Sequence, residues 1–211
     1  MIVLGLTGSI GMGKSTAARL LRSMGVPVND ADATIHALMA PGGAAVAAVE
    51  AAFPGVRAGD AIDRTRLRAR VKDDPAAFRR LEAILHPLAR RASRRFLARH
   101  ARAGRRLVVL DIPLLFESKS RMRVDYVVVV SAPRFLQEAR VLRRPGMTRA
   151  WFETILSRQM PDRLKRRRAD FLVMSALGRH NARKGLAAAL RALRHRRGRV
   201  WRAGAALDGR G

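Results

Sequence analysis

Cysteine is absent from this 211-residue chain, which excludes a disulfide framework, a thiolate metal site and a cysteine nucleophile. Acidic residues are scarce: 16 Asp and Glu stand against 43 Lys and Arg, a formal net charge of +27. Aromatic residues are only 5%, with one tyrosine and two tryptophans, so the interleaved basic and aromatic pattern of a base-stacking nucleic-acid binder is missing and no obligatory nucleic-acid partner is expected. No apolar run approaches the ~18 residues that a membrane-crossing helix needs. The longest, Leu107–Ile112 and Tyr126–Val130, have strand length. The opening MIVLGLTG carries no basic segment ahead of its apolar residues, so no secretory signal is expected and the expected location is cytoplasmic. Asparagine occurs twice, at Asn29 and Asn181, and neither begins the N-K-x-D segment by which GTPases read guanine.

What is present is a core and a positive surface. Hydrophobic residues reach 48%, enough for a folded domain rather than a disordered basic tail. Only five of the basic residues are lysines and 38 are arginines, so the excess charge is guanidinium, which favours planar oxyanions such as phosphate. Ile2–Leu6 reads as a short buried strand, Lys14–Met24 as an amphipathic helix, and Val26–Val28 as a second strand followed by a helix over 33–39. Residues 44–104 show helical patterns and no convincing strand. Asp74-Pro75 reads as a helix cap, and Pro87 as the point where that helix kinks or restarts. Strand character returns at Leu107–Ile112, Asp125–Val130 and Ala169–Met174, with helices between and a last helix over 178–195. Short non-alternating strands that alternate with helices predict an α/β fold with a parallel sheet flanked by helices. The division expected is a sheet-bearing core over 1–43, a helical insertion over 44–104, core again over 105–139, a further helical segment over 140–168, the last core strand and helix over 169–195, and a basic aperiodic tail over 196–211.

One motif carries chemistry. Gly8-Ser9-Ile10-Gly11-Met12-Gly13-Lys14-Ser15 fits G-x-x-x-x-G-K-[ST] between a predicted strand and a predicted helix, the context that a phosphate-binding loop requires. Its glycines let main-chain N–H groups turn inward around an anion, and the helix N-terminus adds partial positive charge. Lys14 reaches toward the β- and γ-phosphates, the Ser15 hydroxyl suits Mg²⁺, and Thr16 lies beside it. The chain is short for a motor or helicase and fits a small-molecule kinase. Asp30 and Asp32 follow the second strand, at the sheet edge where ligands of open α/β folds bind. Either could act as general base, and Asp32 could instead cap the helix that follows. Asp111 ends a strand and is a candidate to hold a Mg²⁺-bound water, or simply a turn carboxylate.

In order along the chain, LTGSIGMGKSTAARLLRSMGVPVNDAD from Leu6, LHPLAR at 85–90, DIPLLFE at 111–117, and the block from Arg140 through Gln159 to Ala169-Asp170 resemble the dephospho-CoA kinase family over roughly residues 1–190. The resemblance implies a P-loop kinase with a helical substrate-binding insertion and a lid. It implies ATP and Mg²⁺ as cofactors, dephospho-CoA as acceptor, and transfer to the ribose 3′-hydroxyl as the last step of CoA synthesis. It implies that Gly8, Gly11, Met12, Gly13, Lys14, Ser15 and Thr16 bind the nucleotide, with Asp32 the catalytic base and Lys14 and Arg140 catalytic. Arg144 would join Arg140 from the lid, four residues on and able to share a helix face. Substrate contacts would come from Asp32, Arg64, His86, Arg90, Pro113, Leu114 and Glu117, and metal contacts from Ser15 and Asp111. Where an Asn-Gly is expected near the last strand, this chain has Ser175-Ala176-Leu177-Gly178.

Overall fold

Five strands hydrogen-bond side by side in the order β2-β5-β1-β6-β7, in a computed structural model that describes residues 1–117 and 124–201. They are β1 (Ile2–Thr7), β2 (Val28–Asp30), β5 (Leu107–Asp111), β6 (Tyr126–Ser131) and β7 (Phe171–Met174). β1 lies at the centre, parallel to β5 with Leu6 opposite Asp111 and parallel to β6 with Thr7 opposite Val129. β6 pairs in parallel with β7, Ser131 opposite Met174. All six β1 residues are buried, which is why the strand reads as a continuous apolar run instead of an alternating one. This register brings the carboxyl ends of β1, β5, β6 and β7 to one edge.

The chain divides into two compact units, one made of residues 1–29 and 100–211 and the other of residues 30–99. In the first, α1 (Lys14–Ser23) and α9 (Gly178–Ala192) lay Ala17, Ala18, Leu21, Ala182, Leu186 and Ala189 against Leu4, Leu6, Val128, Val130 and Val173. Leu21 and Leu186 are fully buried, each worth roughly 1.5–3 kcal/mol of transfer free energy. Three further helices, α6 (Arg134–Leu142), α7 (Arg149–Ser157) and α8 (Asp162–Arg167), follow β6. Phe152 of α7 is fully buried under the Arg134 guanidinium, 4.6 Å from its ring centre, while its neighbour Trp151 is exposed.

The second unit has its own core of Met39, Val46, Val49, Phe53, Ile62, Leu67, Leu81 and Leu85. These come from α2 (Ala31–Met39), α3 (Val46–Ala52), α4 (Arg64–Val71) and α5 (Pro75–Arg102), with Phe53 from the C-cap of α3 and Ile62 from a two-stranded hairpin. That hairpin, β3 (Arg57–Ala58) with β4 (Ala61–Ile62) around Gly59-Asp60, corrects the strand-free reading of 44–104. Its strands are two residues long, too short for a period to register. Pro87 lies inside α5, which runs on from Pro75 to Arg102, so the helix does not restart there. The ring removes one N–H, but Leu81, Leu85 and Leu97 are buried on either side of it, and this packing holds the helix together where propensity opposes it. Asp74 caps α5 as expected, accepting from Ala76 N (2.8 Å) and Ala77 N (3.0 Å).

Candidate active site

At the carboxyl edge of the first unit the chain leaves β1 at Thr7, whose hydroxyl donates to the Pro113 carbonyl at 3.0 Å, and turns through residues 8–13 into α1. Gly11 and Gly13 have φ of 77° and 91°, in the left-handed region. A Cβ at Gly11 would also lie 2.6 Å from Val141 Cγ2 and 2.8 Å from the Gln137 carbonyl oxygen. Backbone conformation and packing therefore both demand glycine there. The loop is held from several directions. Ile10 N donates to Gln159 Oε1 (3.1 Å), Gln137 Nε2 donates to Ile10 O (2.8 Å), and Ser175 Oγ donates to Met12 O (2.8 Å). Met12 is buried with its sulfur accepting from Ala132 N. α1 begins without a side-chain cap and without an acidic residue in its first turn. Its leading N–H groups and positive dipole end are thus available to an external anion.

Lys14 and Asp111 meet at this edge, Nζ to Oδ1 at 2.6 Å, with Asp111 almost wholly buried. The side chain of Ser15, next along α1, is exposed. Arg140 near the end of α6 donates to Ser175 Oγ (2.8 Å) and Ser175 O (3.0 Å), and lies 3.4 Å from Gly11 O. The structure thus gathers Gly8, Gly11, Met12, Gly13, Lys14, Ser15, Thr16, Asp111 and Arg140 around one loop. Arg144 is different. α6 ends at Leu142, so Arg144 lies beyond the helix, exposed, and shares no helix face with Arg140.

Pro113 and Leu114 sit in the turn after β5, and Leu114 is exposed. Glu117 is engaged internally, its Oε1 pairing with Lys165 Nζ at 2.7 Å and accepting from Met160 N at 2.8 Å. Lys165 is fully buried, so this carboxylate supplies the counter-charge for an ammonium that has left water.

The helical unit carries the remaining candidates. Asp30 is the N-cap of α2, accepting from Ala33 N at 3.0 Å. The helix begins at Ala31, two residues earlier than the sequence pattern indicates, which puts Asp32 in the first turn and not at the cap. With capping done by Asp30, the Asp32 carboxylate is exposed and makes no hydrogen bond or ion pair among the described residues. Arg64 opens α4 beside its cap Asp63. His86 and Arg90 stand four apart on α5, both exposed, with Glu82 Oε1 3.8 Å from His86 Nε2.

Two residues that hold the loop, Gln137 and Ser175, were not singled out as such from the sequence, and neither was Lys165, which is the buried partner of Glu117. Lys165 lies in the charged run DRLKRR of α8, which gives no sign of its burial. Ser175 was visible only as a departure from the expected Asn-Gly, and it bridges Arg140 to the Met12 carbonyl.

A family model described as dephospho-CoA kinase matches residues 2–178. The chain belongs to the dephospho-CoA kinase family. It is 53% identical over 198 residues to the dephospho-CoA kinase of Mesorhizobium japonicum, covering 94% of this chain and all of that one. It is 68% identical over 166 residues to the enzyme of the same name from Paramagnetospirillum magneticum, covering 79% of this chain and 78% of that one. A crystal structure from Thermus thermophilus is similar at a TM-score of 0.77 with 34% identity, covering 90% and 96% of the two chains. The dephospho-CoA kinase of Campylobacter jejuni shares the fold at a TM-score of 0.63. A dephospho-CoA kinase family member with a parallel sheet and a phosphate-binding loop at its carboxyl edge is a P-loop kinase of CoA biosynthesis.

Proposed function

We propose that the chain transfers the γ-phosphoryl group of ATP to the 3′-hydroxyl of the dephospho-CoA ribose, giving CoA and ADP. The observation that carries this reading is the glycine loop, pinned by Gln137, Gln159 and Ser175 and opening into an uncapped helix, in a chain of this family. Such a loop binds phosphate oxygens through main-chain N–H groups and needs little reorganisation to do so.

In this reading Lys14 exchanges Asp111 for the phosphoryl oxygens when ATP arrives. Mg²⁺ fits the donors present, a serine hydroxyl and a buried carboxylate, because a hard cation that keeps waters and phosphate oxygens needs only one or two protein ligands. Ser15 and Asp111 would hold it, and when bound it neutralises charge developing on the β- and γ-oxygens. Arg140 would supply a further cation to the migrating phosphoryl group, and Arg144 another from beyond α6. Asp32 would accept the proton of the ribose hydroxyl, which requires an unengaged carboxylate. Arg64, His86 and Arg90, with Pro113 and Leu114, would orient the acceptor. Glu117 would shape the acceptor side through its bond to Lys165.

The test is purified protein with ATP, Mg²⁺ and dephospho-CoA, followed by mass detection of a single added phosphoryl group and its assignment to the 3′-oxygen. Product formed faster on a nucleoside or nucleotide than on dephospho-CoA, or ATP hydrolysis that depends on added nucleic acid, would overturn the reading.

A further inference from the structure

The amino edge of the sheet, at the other end of β1 from the glycine loop, carries a separate cleft of about 550 Å³. Six residues at about 3.3 Å each put roughly 20 Å between the two ends of that strand. One carboxylate assembles the cleft wall. Asp125, just ahead of β6, accepts from Val3 N through Oδ2 at 2.7 Å. Its Oδ1 accepts from Arg199 N and from Val200 N, the latter at 2.8 Å. Gly198 passes so near the chain start that a Cβ there would stand 2.1 Å from the Met1 carbonyl oxygen. Arg106 Nη2 donates to the Arg194 carbonyl at 2.8 Å. These bonds fix residues 196–201 beside the start of β1, and Arg196, Arg197 and Trp201 line the same cleft as Arg105 and Arg106.

Among the described residues no Asp or Glu lines this cleft, and both oxygens of Asp125 already serve main-chain N–H groups. Four exposed arginines thus line one cleft with no carboxylate beside them among the described residues, on backbone that is held in place. Like charges so arranged repel one another, and an anion relieves that repulsion. Guanidinium forks match phosphate oxygens in pairs, and the half-buried Trp201 offers an indole face to a planar ring. The volume is within the ~300–1,000 Å³ of a small-molecule pocket. A nucleic-acid strand would call for a longer groove with several aromatic platforms, whereas among the described residues Trp201 is the one aromatic residue that lines this one.

We propose that this cleft binds a nucleotide bearing two or more phosphate groups, its phosphates on Arg105, Arg106, Arg196 and Arg197 and its base on Trp201, independently of the glycine loop. The tryptophans are Trp151 and Trp201, so Trp151→Phe makes Trp201 the single reporter in the full chain. Its fluorescence is titrated at 0.15 M salt with ADP, with tripolyphosphate and with a ten-nucleotide single strand, with and without Lys14→Ala. The expected result is a saturable one-to-one ADP response that Lys14→Ala leaves in place and that Arg196→Ala with Arg197→Ala weakens at least tenfold. Arg68→Ala with Arg70→Ala, which removes the same charge from the exposed face of α4, should change it by less than twofold. Tripolyphosphate should compete but bind more weakly than ADP. Equal losses from the two double variants, disappearance of the response with Lys14→Ala, tripolyphosphate binding as tightly as ADP, or tighter binding of the oligonucleotide would each overturn the proposal.

Discussion

Single side chains divide here into those that await a ligand and those that hold the waiting groups in place. Lys14 belongs to the first kind, although in this structure its ammonium is paired with buried Asp111. Removing the ammonium with Lys14→Ala should lower kcat by roughly 10²–10³-fold, the range seen when one preorganised charge-stabilising donor is lost. Asp32→Asn should lower kcat by about 10²-fold or more, as expected for a general base, with ATP affinity by calorimetry unchanged. A kcat near that of the parent would remove Asp32 from the base role. Glu117 and Lys165 are of the second kind. Glu117→Gln leaves a fully buried ammonium without its counter-charge and should cost on the order of 3 kcal/mol in urea unfolding. Lys165→Met removes the charge along with the need for a partner and should cost less. Equal losses would contradict the ion pair as the source of the effect.

Elements show where local rules held and where packing overrode them. Asp74 at the start of α5 obeys the capping rule, and the N–H groups of Ala77 and then Ala76 hold its carboxyl below the ordinary aspartate value of 3.8. A lowered folded-state value means that the carboxylate's contribution is fully present above the unfolded value and is lost as pH falls through the folded one. Asp74→Ala should therefore lower Tm at pH 7. That difference should shrink steadily as pH falls below the ordinary aspartate range. Asp74→Asn, which keeps the acceptor but cannot titrate, should flatten the dependence; a Tm difference indifferent to pH in both variants would refute the cap's electrostatic part. Pro87 does not end α5, because Leu81, Leu85 and Leu97 are buried on either side of it and helix propensity is a weak prior against such burial. The β3–β4 hairpin escaped notice for the opposite reason, since two-residue strands have no period to read.

For the whole molecule, the formal charge of +27 works against compactness through self-repulsion. Salt shortens the reach of that repulsion to about 8 Å at 0.15 M, so Tm should rise between 0.02 and 0.3 M sodium chloride. A falling Tm would mean that specific ion pairs outweigh net repulsion. The few carboxylates offset part of that charge locally: Asp111, Glu117, Glu138 and Glu153 each face a Lys or Arg. The glycine loop, the strand–helix alternation, the cap at Asp74 and the family were legible in the amino-acid order alone. They depend on neighbours within a few residues, where φ preference, period and hydrogen-bonding reach are set locally. Tertiary structure alone decided that Asp30 and not Asp32 caps α2, that Arg144 leaves the face of Arg140, that Ser175 locks Arg140 to the loop, and that Glu117 serves Lys165. Each of those outcomes turns on where a helix happens to end or on a partner as many as 163 residues away, and such distances are closed only when the sheet and its covering helices pack together.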